Sequence, residues 1–208
     1  WNDSAVEGSY RFLKRIWNRV WENQDLLTNK ELVPQMDIME KPERDLFRKT
    51  HESVKKITHD LDGAFHFHTA ISTIMELMNA IDAVKVSADS SDQVKAVFRD
   101  AMEKVVLLIS PFAPHIAEEL WKELGYNGGV LAAEWPEVIE AALHRDEIQM
   151  ALQVNGKVRG QLQVPTSASK EDIEKLAMAD EAVIKWTEGK TIRKVIVVPG
   201  RLVNIAVS

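Results

Sequence analysis

Apolar residues recur every three or four positions through the first part of the chain, and every second position from Glu147 onward. Such a change of period demands a helical part followed by a part built on strands. In the first part Val6, Tyr10, Leu13, Ile16, Trp17, Val20 and Trp21 form one stripe behind the capping-box pattern Ser4-Ala5-Val6-Glu7, which predicts a helix to about Asn23. Residues 26–41 read as a loop with room for a helical turn. Pro42 opens a second helix with Leu46, Phe47, Val54, Ile57 and Leu61 facing inward, and Asp62-Gly63 stops it. A third helix is expected to bury Phe67, Ile71, Ile74, Met75, Met78 and Ile81. A fourth follows the turn at Ser90-Ser91, built on Val94, Val97, Phe98, Ala101, Met102, Val105 and Ile109. Pro111 cannot continue that helix, whereas Pro114 can open the next, which ends at Gly125. Short connections between amphipathic helices predict an antiparallel bundle over residues 1–136.

Residues 137–146 read as a short linking helix. Beyond it Ile148, Met150 and Leu152 alternate with Gln149, Ala151 and Gln153, while Val158, Leu162 and Val164 alternate with Lys157, Arg159, Gln161 and Gln163. Ser169 caps a helix through Ile173 and Leu176, a second short helix through Val183 and Trp186 stops at Gly189, and strands over 192–198 and 202–207 turn at Pro199-Gly200. Residues 147–208 are therefore expected to form a small domain of order ββααββ, making the fold class α+β. A two-residue turn at Asn155-Gly156 would put apolar and charged side chains on one face. A three-residue loop, Val154-Asn155-Gly156, pairs Gln153 with Lys157 and Ala151 with Arg159, and is the expected register. Its polar face would present Gln149, Gln153, Lys157, Arg159, Gln161 and Gln163 together.

The chain has no cysteine, which removes disulfides and thiolate zinc sites. No apolar run approaches the ~18 residues of a membrane span, and the N-terminal residues show no signal-peptide pattern. A cytoplasmic protein without membrane contact is expected. Net charge is −6, but from Glu147 onward nine Lys/Arg stand against seven Asp/Glu. A nucleic-acid partner must therefore meet local basic stripes, best sought in the tail. No phosphate-cradling G-x-x-x-x-G-K-[ST] loop and no G-x-S-x-G nucleophile turn occurs. His66 and His68, two apart, point to different helix faces, and His51 and His59 lack a carboxylate cluster of suitable spacing. No metal site is expected.

Lys157, Arg159, Arg193, Lys194 and Arg201 lie in or beside strands, where basic and amide side chains can bond phosphates and ribose hydroxyls. Spacing alone fits the solvated outer side of a half-buried sheet as well. Arg11, Lys14, Arg15 and Arg19 share one face of the first helix and admit the same two readings. Trp17, Trp21, Trp121 and Phe98 fit core spacing, and Trp135-Pro136 reads as packing.

The run Ser110-Pro111-Phe112-Ala113-Pro114-His115-Ile116-Ala117-Glu118-Glu119-Leu120-Trp121 resembles the anticodon-binding region of the class I aminoacyl-tRNA synthetases for leucine, isoleucine, valine and methionine. Two tail motifs, Val154-Asn155-Gly156-Lys157-Val158-Arg159-Gly160 and the stretch Arg193 to Leu202, are similar to the C-terminal domain of bacterial leucyl-tRNA synthetases. The resemblance covers nearly the whole chain. The isoleucyl enzyme commonly ends in a cysteine zinc site, the valyl enzyme in a coiled coil, and the methionyl enzyme lacks this tail, so leucyl is the remaining match. The resemblance implies the tRNA-binding end of a leucine–tRNA ligase that joins leucine to tRNA(Leu) with ATP and Mg²⁺. Both signatures of the catalytic fold, His-Ile-Gly-His and Lys-Met-Ser-Lys-Ser, are absent. No catalytic residue and no cofactor is therefore assigned to this segment, and its partners would be tRNA(Leu) and the catalytic and editing domains of a monomeric parent. It further implies RNA contacts by Lys157, Arg159, Arg193, Lys194 and Arg201 at the outer corner of the tRNA, and by Arg11, Lys14 and Arg15 near its inner side. Pro111, Pro114, His115 and Trp121 would hold the helix junction, His115 through a hydrogen bond. A freestanding RNA-binding module and a protein-interaction bundle remain as alternatives.

Overall fold

A computed structural model describes residues 3–63, 65–145 and 147–208, with side chains from residue 6 onward. The chain divides into two compact units, Trp1–His144 and Arg145–Ser208. The first holds α1 (Asp3–Trp21), α2 (Gln24–Leu27), α3 (Lys41–Leu61), α4 (Phe67–Ala83), α5 (Asp92–Ile109) and α6 (Pro114–Glu123). The capping box expected at Ser4 lies outside the described side chains. Pro42 stands in the first turn of α3, and Ser91 Oγ accepts the Val94 N–H (3.2 Å) at the start of α5.

The core is organised around α5, whose Val97, Phe98, Ala101, Met102, Val105 and Leu108 are all fully enclosed. Helices flanking it bury narrower stripes than their sequences offer. On α1 the seam is Phe12, Ile16 and Val20, while Val6, Tyr10 and Trp21 of the expected stripe are exposed. On α4 it is Ala70, Ile74, Leu77, Met78 and Ile81, and Phe67 and Met75 are exposed. An i, i+4 row suffices to fill the groove of a neighbouring helix, so the rest of a wide apolar face stays outside.

At the junction of α5 and α6, Ser110 Oγ donates to the Leu107 carbonyl (2.8 Å), and the Phe112 and Ala113 N–H groups both reach Ile109 O (3.0 and 2.9 Å). Pro111 and Pro114 stand within this bend, and Trp121 stacks on Tyr126 with centroids 4.0 Å apart. The His115 side chain is exposed and makes no hydrogen bond among the described residues. The kink is held by Ser110 and the backbone, so the expectation placed on His115 is corrected. The linking helix expected over 137–146 is likewise replaced by extended chain and a single 3-10 turn, Glu140–Leu143, because this stretch lies along α3 and bonds to it; Asp146 lies outside the described residues.

The second unit contains β1 (Glu147–Val154), β2 (Lys157–Pro165), α7 (Lys170–Ala179), α8 (Glu181–Thr187), β3 (Ile192–Val198) and β4 (Leu202–Val207), in the expected order ββααββ. The strands lie in the order β2-β1-β4-β3, with β1 and β4 parallel and the outer pairs antiparallel. Met150, Leu152, Val164, Val197, Val203 and Ile205 form the covered face, packed with Ile173, Ala177 and Val183 of the helices. The whole is an α+β chain: eight α-helices and one mixed four-stranded sheet among the described residues. Among those residues no helix is long and apolar enough to cross a membrane, and no group of three His, Cys, Asp or Glu could hold a metal ion.

The β1–β2 register departs from the three-residue loop. The turn has two residues, Asn155 and Gly156, both left-handed (φ 50° and 76°), and Val154 pairs with Lys157. The apolar face is recovered further on, where Gln153 pairs with Val158 but Leu152 with Gly160, leaving Arg159 as the extra residue of a bulge. The slip therefore sits in the strand and not in the loop. Gln149, Gln153, Gln161 and Gln163 do share the open face, with Gln149 Nε2 donating to Gln161 Oε1 (2.7 Å). Lys157 and Arg159 are not on it.

Candidate nucleic-acid interface

The parallel pairing of β1 with β4 brings the Asn155-Gly156 turn against the end of β4, where Asn155 acts as a piece of strand. Its backbone N–H donates to Ile205 O (2.9 Å), its Nδ2 to Val207 O (3.0 Å), and its Oδ1 accepts from Val207 N–H (2.9 Å). Gly156 N–H completes the seal on Asn204 Oδ1 (3.0 Å). The turn is thus rigid although exposed. Asn155→Ala removes two of these bonds and leaves alanine in the left-handed region; the second unit is expected to lose about 2–3 kcal/mol. Urea unfolding followed through its amide NMR signals checks this, with the bundle signals unmoved.

Both edge strands carry a bulge at this end of the sheet, and in both the unpaired residue is an arginine. On β2 it is Arg159. On β3 it is Arg193, since Ile192 pairs with Val207 but Lys194 with Ala206. Bulges re-aim a side chain out of the alternating pattern. Arg159 is turned to the helix side, its guanidinium 3.5 Å over the Trp186 ring, and its Nε is buried without a hydrogen-bond partner among the described residues. Stacking of this kind fixes the planar group while leaving its terminal N–H donors available. Arg193 is exposed, its Nε donating to Ser208 Oγ (2.8 Å). Lys157 stands beside the turn, and Lys190, two residues before β3, bonds the Trp186 carbonyl (2.9 Å). Among the described residues none of Lys157, Arg159, Lys190 and Arg193 is paired with a carboxylate. The edge strands are about 14 Å apart across the two central ones, so the cations flank a stiff backbone rim.

The other expected contacts separate from this group. Lys194 pairs with Ala206 and faces the open side of the sheet, away from α7 and α8. Arg201 follows the Pro199-Gly200 turn, at the opposite end of β3 from Arg193. On α1 the four basic residues do line one groove, with Asn18, Glu22 and Asp82. Arg15, however, is held by Asp82 (2.6 Å) and Asn79 (2.9 Å), and Arg19 by Asp82 (3.3 Å) with its guanidinium 5.1 Å from the Phe98 ring. Asp82 offsets much of that stripe's charge, and Arg11 and Lys14 remain exposed. Lys190 and Trp186 were missed by sequence reasoning. The bulge that joins Arg159 to Trp186 leaves no mark in the alternation of β2, and only the Gly189 stop after the tryptophan hinted at a compact corner.

Two units of this kind, one helical and one built on a small mixed sheet, agree with what known proteins show. A family model described as the anticodon-binding domain of tRNA ligase matches residues 43–175. The chain belongs to this family. Curated relatives include leucine–tRNA ligases of Petrotoga mobilis, 41% identical over 207 residues, and Chromohalobacter salexigens, 46% identical over 205. These alignments cover 100% and 99% of this chain but 25% and 23% of the relatives, so the chain spans about a quarter of their length. Among solved structures, the ternary complex of Agrobacterium radiobacter K84 agnB2 LeuRS with tRNA and LeuAMS matches with a TM-score of 0.78 at 30% identity, over 100% of this chain and 26% of that one. The family match begins in α3 and ends in α7, so it embraces most of the bundle and the β1–β2 hairpin with its bulge arginine.

Proposed function

We propose that this chain is the tRNA-holding part of a leucine–tRNA ligase, in which other domains of the same parent chain perform ATP- and Mg²⁺-dependent aminoacylation and editing. The observation that carries this reading is the pair of bulge arginines, Arg159 and Arg193, which have no carboxylate partner among the described residues and flank the Asn155 turn with Lys157 and Lys190. Such a rim suits a sugar–phosphate surface, because it offers cations and N–H donors without the convergent polar pocket a small molecule needs. The likeness to leucine–tRNA ligases and to a LeuRS bound to tRNA supports tRNA(Leu) as the RNA, and a cytoplasmic, monomeric parent fits the same reading.

The contribution of such a segment is orientation. Gripping the body of the tRNA sets where its 3′ end arrives, and positioning of that kind contributes several kcal/mol to lowering a barrier. The proposed contacts are Lys157, Arg159, Arg193 and Lys190, with Arg11 and Lys14 as a second surface; Lys194 and Arg201 stand away from the rim, and Arg15 is held by Asp82. In an intact ligase carrying this sequence, alanine at Lys157, Arg159 and Arg193 should abolish most tRNA charging while leucyl-adenylate formation is retained. Full charging by that variant would refute the assignment.

A further inference from the structure

Ala182 and Trp186 stand one turn apart on α8, so they share the side of that helix that meets β2. Gly160 lies against the first of them: a Cβ at Gly160 would come within 3.3 Å of the Ala182 Cβ. The absence of a side chain there lets the helix come close to the strand. Both ends of α8 are tied. Asp180 Oδ1 accepts the Ala182 N–H (2.9 Å), Thr187 Oγ1 donates to the Val183 carbonyl (2.9 Å), and Lys190 Nζ donates to the Trp186 carbonyl (2.9 Å). With Val183 buried in the core of the second unit, the indole has little freedom. It stands over Arg159, the residue next to Gly160, with the guanidinium carbon 3.5 Å from the ring centroid. The bulge leaves Arg159 without a partner across the strands, and its Nε is buried with no hydrogen-bond partner among the described residues. The other bulge arginine is held differently, by the bond from Arg193 Nε to Ser208 Oγ.

We infer that Trp186 is a positioning residue for Arg159: the ring sets the guanidinium in its binding orientation before RNA arrives, and need not touch RNA itself. This rests on the RNA-holding reading above and assigns that site a residue with no charge of its own. The stack is present with and without RNA, so its attraction cancels from the affinity. What remains is the rotamer freedom that an unsupported arginine would lose on binding. Freezing one long side chain of this kind weakens binding by about fivefold. The cation itself is unchanged, so the number of phosphates neutralised, and with it the salt slope, stays the same. A tryptophan that served only to pack α8 would act on the stability of the unit, with no special link to Arg159.

The test is a double-mutant cycle in the 208-residue chain, read by filter binding of tRNA(Leu) at several salt concentrations. Trp186→Leu is expected to bind about fivefold more weakly with its salt slope kept, and Trp186→Phe, which retains an aromatic face, to recover most of the loss. Arg159→Ala lowers the slope by just under one. Adding Trp186→Leu to Arg159→Ala should change nothing further, whereas adding it to Arg193→Ala should cost the same fivefold again. Should Trp186→Leu unfold the second unit, Arg159→Lys removes the planar partner and leaves α8 intact; it is expected to bind about fivefold more weakly at an unchanged slope. Parent-like affinity of Trp186→Leu or Arg159→Lys, or a Trp186→Leu loss that persists in full when Arg159 is alanine, overturns the inference. The stack has its own readout without RNA: the side-chain proton NMR signals of Arg159 are expected upfield in the parent chain, under the indole ring current, and at ordinary positions in Trp186→Leu. Failure of the RNA reading is recognised separately, by unchanged affinity when Lys157, Arg159 and Arg193 are all alanine.

Discussion

Alanine at Lys157, Arg159 and Arg193 together lowers the affinity of the 208-residue chain for tRNA by on the order of 100-fold at about 0.1 M salt. The same variant flattens the dependence of log K on log salt by about 2–3, since each phosphate neutralised contributes just under one to the slope. The effect is large because, among the described residues, these side chains have no carboxylate partner to return to. Their charge is not offset by a paired carboxylate, and Arg159 is already ordered against Trp186. Arg15 is the contrasting control. It bonds Asp82 and Asn79, so Arg15→Met should disturb the α1–α4 contact while barely moving the salt slope. Lys194→Ala and Arg201→Ala should each fall well short of the triple variant. Equal losses at Arg15 and Arg193 would mean that net charge, and not the rim, governs binding.

Acidification from pH 7 to about 4 should cost the bundle about 3 kcal/mol through His51 alone. His51 is buried on the side of α3 that meets the chain at Ile139, with Phe47 edge-on at 4.6 Å, and its Nδ1 accepts from the Ile139 N–H. Burial first, then the Lys104 ammonium on α5, push its pKa from 6.5 to about 4, partly offset by the Glu137 carbonyl. Lys104 is itself tied to Asp100 at 2.5 Å. The unfolded chain takes up this proton near pH 6.5 and the folded chain only near 4, so the unfolded state binds more protons across that window. The stability is fully present above about 6.5 and is lost as pH falls toward 4. Urea midpoints at a series of pH values measure it. His51→Gln should flatten the curve between pH 6.5 and 4.5, and an unflattened curve would assign the acid sensitivity to another group.

The order of elements was legible because it depends on local chemistry. Pro42, Ser91, Pro114, Ser169 and the glycines at 63, 125, 156, 189 and 200 act within a few residues of themselves, and each start or stop they predict is found within a residue or two. Faces were less legible. Tyr10 and Trp21 belong to the apolar side of α1 by spacing, yet they are exposed while the Phe12-Ile16-Val20 row is buried and Leu13 and Trp17 pack partly beside it, a choice made by the packed helices. The hairpin shows the same limit more sharply. Alternation in β2 required a one-residue slip somewhere between Leu152 and Gly160, which was readable. Whether the slip sits in the turn or in a bulge depends on Asn155 bonding β4, some fifty residues away. That long-range bond decides that Arg159 leaves the glutamine face and joins Trp186. The second bulge, at Arg193, had no local signal, so the pairing of two arginines at one end of the sheet could not be anticipated from either strand.

The most direct test of the RNA-holding rim is to add unlabelled tRNA to the isotopically labelled chain and follow its amide NMR signals. The largest shifts in the second unit are expected at residues 155–160, 186–193 and 205–208, with Gln163, Ile196 and Leu202 on the open face nearly still. Shifts confined to that open face, or to the bundle with the second unit unperturbed, would contradict a nucleic acid seated on the bulge arginines.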